Sequence, residues 1–192
     1  MTKFEQAIQL IDKKNAMDPH TTIVEEKEYP TELLYSLRMS QKLGEFEPEA
    51  SNELRIAARA QHICRWKILR SEFEMTRAGY LNWREELKKM HAQLTAELLL
   101  EIGYDPAFIE RVSFLIKKKF LKKDEGTQTL EDVICLVFLQ FYLEEFAAKH
   151  SEEKMISIIK KTWGKMSAKG HEAALKLPLS PKILALVTKS LS

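Results

Sequence analysis

Between Thr76 and Gly103 the chain carries a stripe that only a long helix can use. Tyr80, Arg84, Leu87, His91, Leu94 and Leu98 recur at steps of four, three, four, three and four, the spacing of one helix face. Thr76 can cap such a helix and Gly103 can stop it, so a fourth helix is predicted over about 76–101. The stripe is otherwise apolar, which turns Arg84 and His91 inward. A buried guanidinium without a counter-charge is costly. Arg84 therefore calls for either an internal carboxylate or an anionic ligand, and the residues leave both readings open.

The rest of the chain is read around that helix. Six Gly and six Pro in 192 residues favour long helices over many turns. Phe4, Ala7, Ile8 and Ile11 form the face of a first helix ending before Asp18-Pro19. Residues 18–29 read as a loop. Pro30 suits the first turn of a second helix with Leu33, Leu34 and Leu37 on its stripe, closed by Gly44. Pro48 and Ser51 start a third helix through Trp66, and a loop follows over about 69–76. Asp105-Pro106 opens a fifth, which ends in the lysine-rich run from 117 to 123, where the helix dipole favours cations. Thr129 opens a sixth. It is apolar nearly all round from Val133 to Leu143, the mark of a central buried helix. Ser151 and Ser180-Pro181 open the last two. No strand-length alternation, internal repeat or Gly-rich phosphate loop is visible. The expected architecture is all-α, one domain of 1–192 with seven or eight helices.

Net charge is +2, which gives no global attraction for nucleic acid. The distribution is uneven: residues 1–52 hold six Lys/Arg against ten Asp/Glu, and 53–91 hold nine against five. The second segment is locally basic and suits an anionic ligand. Cys64 and Cys135 lie in apolar patterns and read as buried thiols in a reducing compartment. The longest apolar run, Val133 to Leu139, is far too short to span a bilayer. The start of the chain lacks the order of a signal peptide. A cytoplasmic protein with no membrane partner is expected; oligomeric state is not legible.

The polar candidates cluster from Arg59 to His91. On a helix through Trp66, the residues Arg55, Arg59, His62 and Trp66 share one stripe beside the core residues Ile56, Ala60 and Ile63. Arg59, Arg65, Trp66 and Arg84 are candidate ligand contacts. His62 and His91 are candidate acid–base groups. Glu131 or Asp132, read with Thr129 as a capping box, would complete the set. Two histidines and a carboxylate also suit a divalent metal, with His62, His91 and Asp132 as its ligands. No HExxH, CxxC or GxSxG supports a specific chemistry. The blander alternatives are a half-exposed His62 and an internal ion pair for Arg84.

The stretches PTELLYSLRMSQKLGEFEPEASNELRIAARAQHICRW, TRAGYLNWREELKKMHA, LEDVICLVFLQFY and KTWGKMSAKG resemble an uncharacterised family, catalogued as a domain of unknown function in bacteria and fungi. Some fungal members carry a glutamyl-tRNA synthetase label, for which no nucleotide-binding Rossmann pattern speaks here. The helix order is more remotely similar to the HD metal phosphohydrolases. That resemblance implies a metal held by an early His, a His-Asp doublet and a later Asp. His62 matches the first. The doublet is missing, its neighbourhood reading Trp83-Arg84-Glu85, and Val137 and Leu139 stand where later acids are expected.

The expected function is binding of a phosphorylated or otherwise anionic small molecule, with hydrolysis as an extension. The rival is a non-enzymatic interaction module in which the same residues form a structural network. RNA binding through 55–89 and 117–123 is the weakest reading, since Phe120 alone interrupts the lysines.

Overall fold

The computed structural model describes residues 1–191, and among these it is helical almost throughout. Ten α-helices are present: α1 (Lys3–Asn15), α2 (Thr31–Phe46), α3 (Asn52–Arg59), α4 (Arg77–Ile102), α5 (Pro106–Ile116), α6 (Glu125–Phe141), α7 (Leu143–Ala148), α8 (Glu152–Trp163), α9 (Ala168–Ala174) and α10 (Pro181–Leu191). Their starts are written in side-chain caps. Thr2 and Glu5 form a capping box on α1, and Ser51, Thr76, Asp105, Asp124, Ser151 and Ser167 cap the helices that follow them. Each cap satisfies a backbone N–H that the helix itself leaves unpaired.

The sequence expectation departs from the structure at five places. Residues 18–29 are not a plain loop: β1 (Thr21–Val24) pairs antiparallel with β2 (Lys27–Pro30), Val24 opposite Lys27. The two-residue turn places Glu25 and Glu26 at positive φ, a geometry normally signalled by Asn-Gly, so the hairpin lacked its usual cue. Gly44 does not close α2, which runs two residues further. The third helix stops at Arg59 instead of reaching Trp66. The sixth opens at Glu125 under Asp124, which puts Glu131 and Asp132 past the first turn and removes the capping-box reading. The short helices α7 and α9 were not anticipated, which raises the count above the expected eight.

Two apolar clusters share α6. Leu130, Val133 and Val137 join the first, with Ile11, Met39, Ile56, Leu99 and Leu115 from α1 to α5. Cys135, Leu136 and Leu139 join the second, with Met155, Ile159, Ile183 and Val187 from α8 and α10. An apolar surface on both sides of one helix makes α6 the central element predicted for it. Cys64 and Cys135 are free and buried, as expected. No helix among the described residues is long and apolar enough to cross a membrane.

Candidate functional site

The site begins at the corner between the hairpin and α2. Pro30, at the N-cap of that helix, has no side-chain acceptor for the free N–H groups of the first turn. Asp18 takes the role from a distance: its Oδ2 accepts from the Glu32 backbone N–H at 2.9 Å, while its Oδ1 accepts from the His20 N–H at 2.9 Å. Thr31 is tied back to the His20 carbonyl. This fixes the first turn of α2 and holds Glu32 inward, where its side chain is 9% exposed.

A second irregular segment delivers His62 and Arg65. After α3 ends, residues 60–64 form tight turns, and Cys64 adopts left-handed backbone (φ 53°, ψ 32°). That conformation is strained for a residue with a side chain. It is held by the buried Asn15, whose Oδ1 accepts from the Cys64 N–H at 3.0 Å. A short 3₁₀ turn then begins at Arg65. A regular helix would have spread these side chains along a stripe. The turn instead directs His62 and Arg65 to the same carboxyl, with His62 Nδ1 at 3.1 Å from Glu32 Oε2 and Arg65 Nη1 at 3.6 Å from Oε1.

α4 supplies the opposite wall. The His62 and His91 rings stand 5.9 Å apart, and Tyr35 stacks on His62 at 3.8 Å and 10°. The guanidinium of Arg65 lies over the Trp83 ring at 5.0 Å, and Trp83 Nε1 donates to the Ile68 carbonyl. His91 is fully enclosed; the Gln61 backbone hydrogen bonds its ring, and Nε2 has no partner. Arg84 is half-buried. Its charge is felt by Tyr35, His62, His91, Lys118 and Glu131. Among the described residues it makes no hydrogen bond and no ion pair.

Lys118 arrives from the connection after α5, where it too has left-handed backbone. Its ammonium meets Glu131 Oε2 at 2.7 Å, and Lys165 approaches Oε1 at 3.7 Å. Burial opposes the charge on Glu131, but the lysines, Lys118 first, outweigh it and hold the carboxyl below its usual range. The histidines go the other way. Burial pushes both well below the ordinary imidazole value, with Arg65 and Arg84 adding to the effect on each. Burial also raises the Glu32 carboxyl to about 7 against the pull of Arg65.

The sequence candidates therefore divide. His62, Arg65, Arg84, His91 and Glu131 come together. Arg59 does not: Nε and Nη2 each donate to Asp12 at 2.7 Å, a bidentate pair that ties α3 to α1. Trp66 packs against the first core cluster. Asp132 is turned to α9, accepting from the Ser167 N–H at 2.8 Å, from the Ser167 hydroxyl at 2.6 Å and from Gln128. It borders a cleft of about 330 Å³ with Lys122, Lys123 and Lys169, outside the histidine cluster. The candidate metal ligands His62, His91 and Asp132 are not brought together, and no group of three His, Cys, Asp or Glu side chains suited to a metal is found among the described residues. Glu32, Tyr35, Trp83 and Lys118 were not singled out from sequence. Glu32 had one visible signal, a carboxylate just after Pro30; Lys118 was hidden in a run that the helix dipole alone explains.

A family model described as a domain of unknown function, DUF4202, matches residues 5–187. The chain belongs to that family. No curated protein and no solved structure matches it. The DUF4202 match runs from within α1 to within α10, so it takes in every member of the cluster.

Proposed function

We propose that the cluster of Tyr35, His62, Arg65, Arg84, His91 and Lys118 binds a phosphorylated or otherwise anionic small molecule, in a cytoplasmic protein. The observation that carries this reading is the isolation of Arg84. Three cations, Arg65, Arg84 and Lys118, all act on the His62 ring, and two of them pair with carboxyls. Glu32 is engaged by His62 and Arg65, and Glu131 by Lys118 and Lys165. Arg84, half-buried, acts on Glu131 only from a distance and makes no ion pair or hydrogen bond of its own among the described residues. The unpartnered Nε2 of neutral His91 is a lone-pair acceptor that a hydroxyl of the ligand would satisfy.

Catalysis is the extension of this reading. Histidines held neutral beside a bound phosphoryl group are placed to move protons during its hydrolysis, with Glu131 fixing Lys118 against the same group. Kinship with the HD phosphohydrolases fits as well. The His62 and His91 rings stand 5.9 Å apart, although the doublet's neighbourhood, Trp83-Arg84-Glu85, carries no His-Asp pair. In that case arginine and lysine supply the positive charge that an ion supplies elsewhere.

The test is a thermal-shift and calorimetric screen with inorganic phosphate, pyrophosphate, sugar phosphates and nucleotides. A ligand that binds only the folded state at 100 times its Kd adds about 2.7 kcal/mol to stability. Arg84→Gln is expected to abolish that gain, and Arg55→Gln, an exposed control, to keep it. Binding that survives Arg84→Gln places the anion elsewhere. A screen in which no anion binds favours a structural network serving an interaction module.

A further inference from the structure

We propose that Glu32 and His62 share one proton, held as a carboxyl on Glu32 while the site is empty and passed to His62 Nδ1 when an anion binds, so that His62 becomes an imidazolium without drawing a proton from solvent. This deepens the anion site proposed above and rests on it.

The geometry comes first. Oε2 and Nδ1 are 3.1 Å apart, a hydrogen-bond distance, and both side chains are largely enclosed. With Nδ1 occupied by Glu32, Nε2 is the nitrogen of His62 left for a ligand. Tyr35 stacks on the ring and sets its plane, and the Asp18 carboxylate holds the Glu32 backbone. The backbone of each partner is anchored, Glu32 by Asp18 and the turn after His62 by Asn15.

The electrostatics explain why the proton would move. In the empty site Arg65, Arg84 and Lys118 all act against a charge on His62. His91 is held neutral by burial and by the same arginines. Only Glu32 is placed to keep the proton, and burial favours its carboxyl form up to about pH 7. Arg65 and His20 oppose this on the Glu32 side. Glu131 is already neutralised by Lys118 and Lys165, and Tyr35 stays protonated. A tetrahedral dianion against Arg84 cancels the repulsion on the ring. The Glu32 O–H bond then breaks and the Nδ1–H bond forms. The charged carboxylate faces Arg65 and the new imidazolium, and Nε2–H donates to the anion. No atom is gained or lost.

The experiment uses the full chain, ¹⁵N-labelled at histidine, with inorganic sulfate at pH 6 as a probe that carries no titratable proton. Nitrogen shifts read the charge and tautomer of His62, assigned by comparison with His62→Gln. The empty wild type is expected to show neutral His62 with its proton on Nε2. Saturation with sulfate is expected to show both nitrogens protonated, with no net proton uptake by calorimetry in two buffers of different ionisation enthalpy. In Glu32→Gln the same change requires a proton from solvent, and sulfate affinity is expected to fall about tenfold, the equivalent of one pKa unit. His62 remaining neutral in the sulfate-saturated wild type overturns the hand-off and leaves the anion site standing; so does proton uptake equal to that of the variant. If sulfate neither stabilises the protein nor moves any histidine signal, the anion site falls and the hand-off with it. The wild-type spectra decide the matter even if Glu32→Gln does not fold.

Discussion

Arg59 and Arg84 lie on helices that face the same core, and they should answer truncation in opposite ways. Arg59 is 8% exposed and grips Asp12 with two bonds. Arg59→Ala strands that carboxylate and is expected to lower stability by about 1–3 kcal/mol, the lower part of the range reflecting the partial exposure of Asp12. Arg84 has no partner to strand and sits among like charges, so Arg84→Ala is expected to leave the urea midpoint of the ligand-free protein unchanged or raise it. Chemical denaturation of the two variants side by side checks this. A larger loss at Arg84 would mean that it is paired in solution. Periodicity turned Arg84 inward, where it is half-buried, and set Arg59 on a stripe beside the core, where it is buried. It could not assign their partners, because Asp12 lies 47 residues from Arg59 in sequence.

Glu32 carries a second prediction at the same scale. Its carboxyl titrates near 7 in the folded protein, against 4.5 as the ordinary value. Between those pH values the folded state holds a proton that the unfolded state has released, so stability falls as pH rises through the window. His62 and His91 act with opposite sign. Their folded values lie below 6.5, so their contribution rises with pH and levels off above about 6.5. Glu32→Gln removes the carboxyl's contribution and leaves those of the histidines. Relative to wild type, the variant is expected to gain on the order of 2 kcal/mol between pH 4.5 and 7, measured by denaturation across that range. A difference that does not change with pH would show Glu32 ionised throughout.

At the scale of elements, the junction of α6 with α9 rests on one close approach. A Cβ added at Gly170 would lie 2.5 Å from Asp132 Oδ1, with the rest of that carboxyl immediately behind it. Asp132 cannot withdraw without releasing the Ser167 N–H and hydroxyl that it binds at the start of α9. Gly170→Ala is therefore expected to destabilise by about 1–3 kcal/mol, whereas Gly44→Ala, with nothing within 4 Å of its Cβ, is expected to stabilise α2 by about 0.5–1 kcal/mol. Melting curves of the two variants should move in opposite directions. The same contact shows what sequence could and could not say about elements. Long helices such as α4 announced themselves, because cap, stripe and stop all agree over 26 residues. The site-forming corners did not. The Glu25-Glu26 turn and the left-handed Cys64 are built from residues with no preference for those conformations; Asn15 holds the Cys64 backbone, and Asp18 holds the start of α2.

On the scale of the whole molecule, α6 decides whether the chain unfolds in one step or two. The helix is apolar on both sides, and each side belongs to a different cluster. Losing either cluster exposes half of α6 to water, so neither half should persist for long without the other. The site depends on this coupling. Glu131 stands on α6, and its carboxylate meets Lys118 from the connection before that helix and Lys165 from the segment after α8. Trp66 packs on the first cluster and Trp163 on the second, which provides a reporter for each. With ¹⁹F-labelled tryptophan, the two signals are expected to lose their native shifts at the same urea concentration, coincident with helical circular dichroism, as a single cooperative transition requires. Leu136→Ala, which opens a cavity on the second side of α6, is expected to cost about 2–5 kcal/mol and to lower both midpoints together. If Trp163 melts first while Trp66 keeps its native signal, α6 does not transmit stability between the clusters, and the second half of the chain is a separately folding layer.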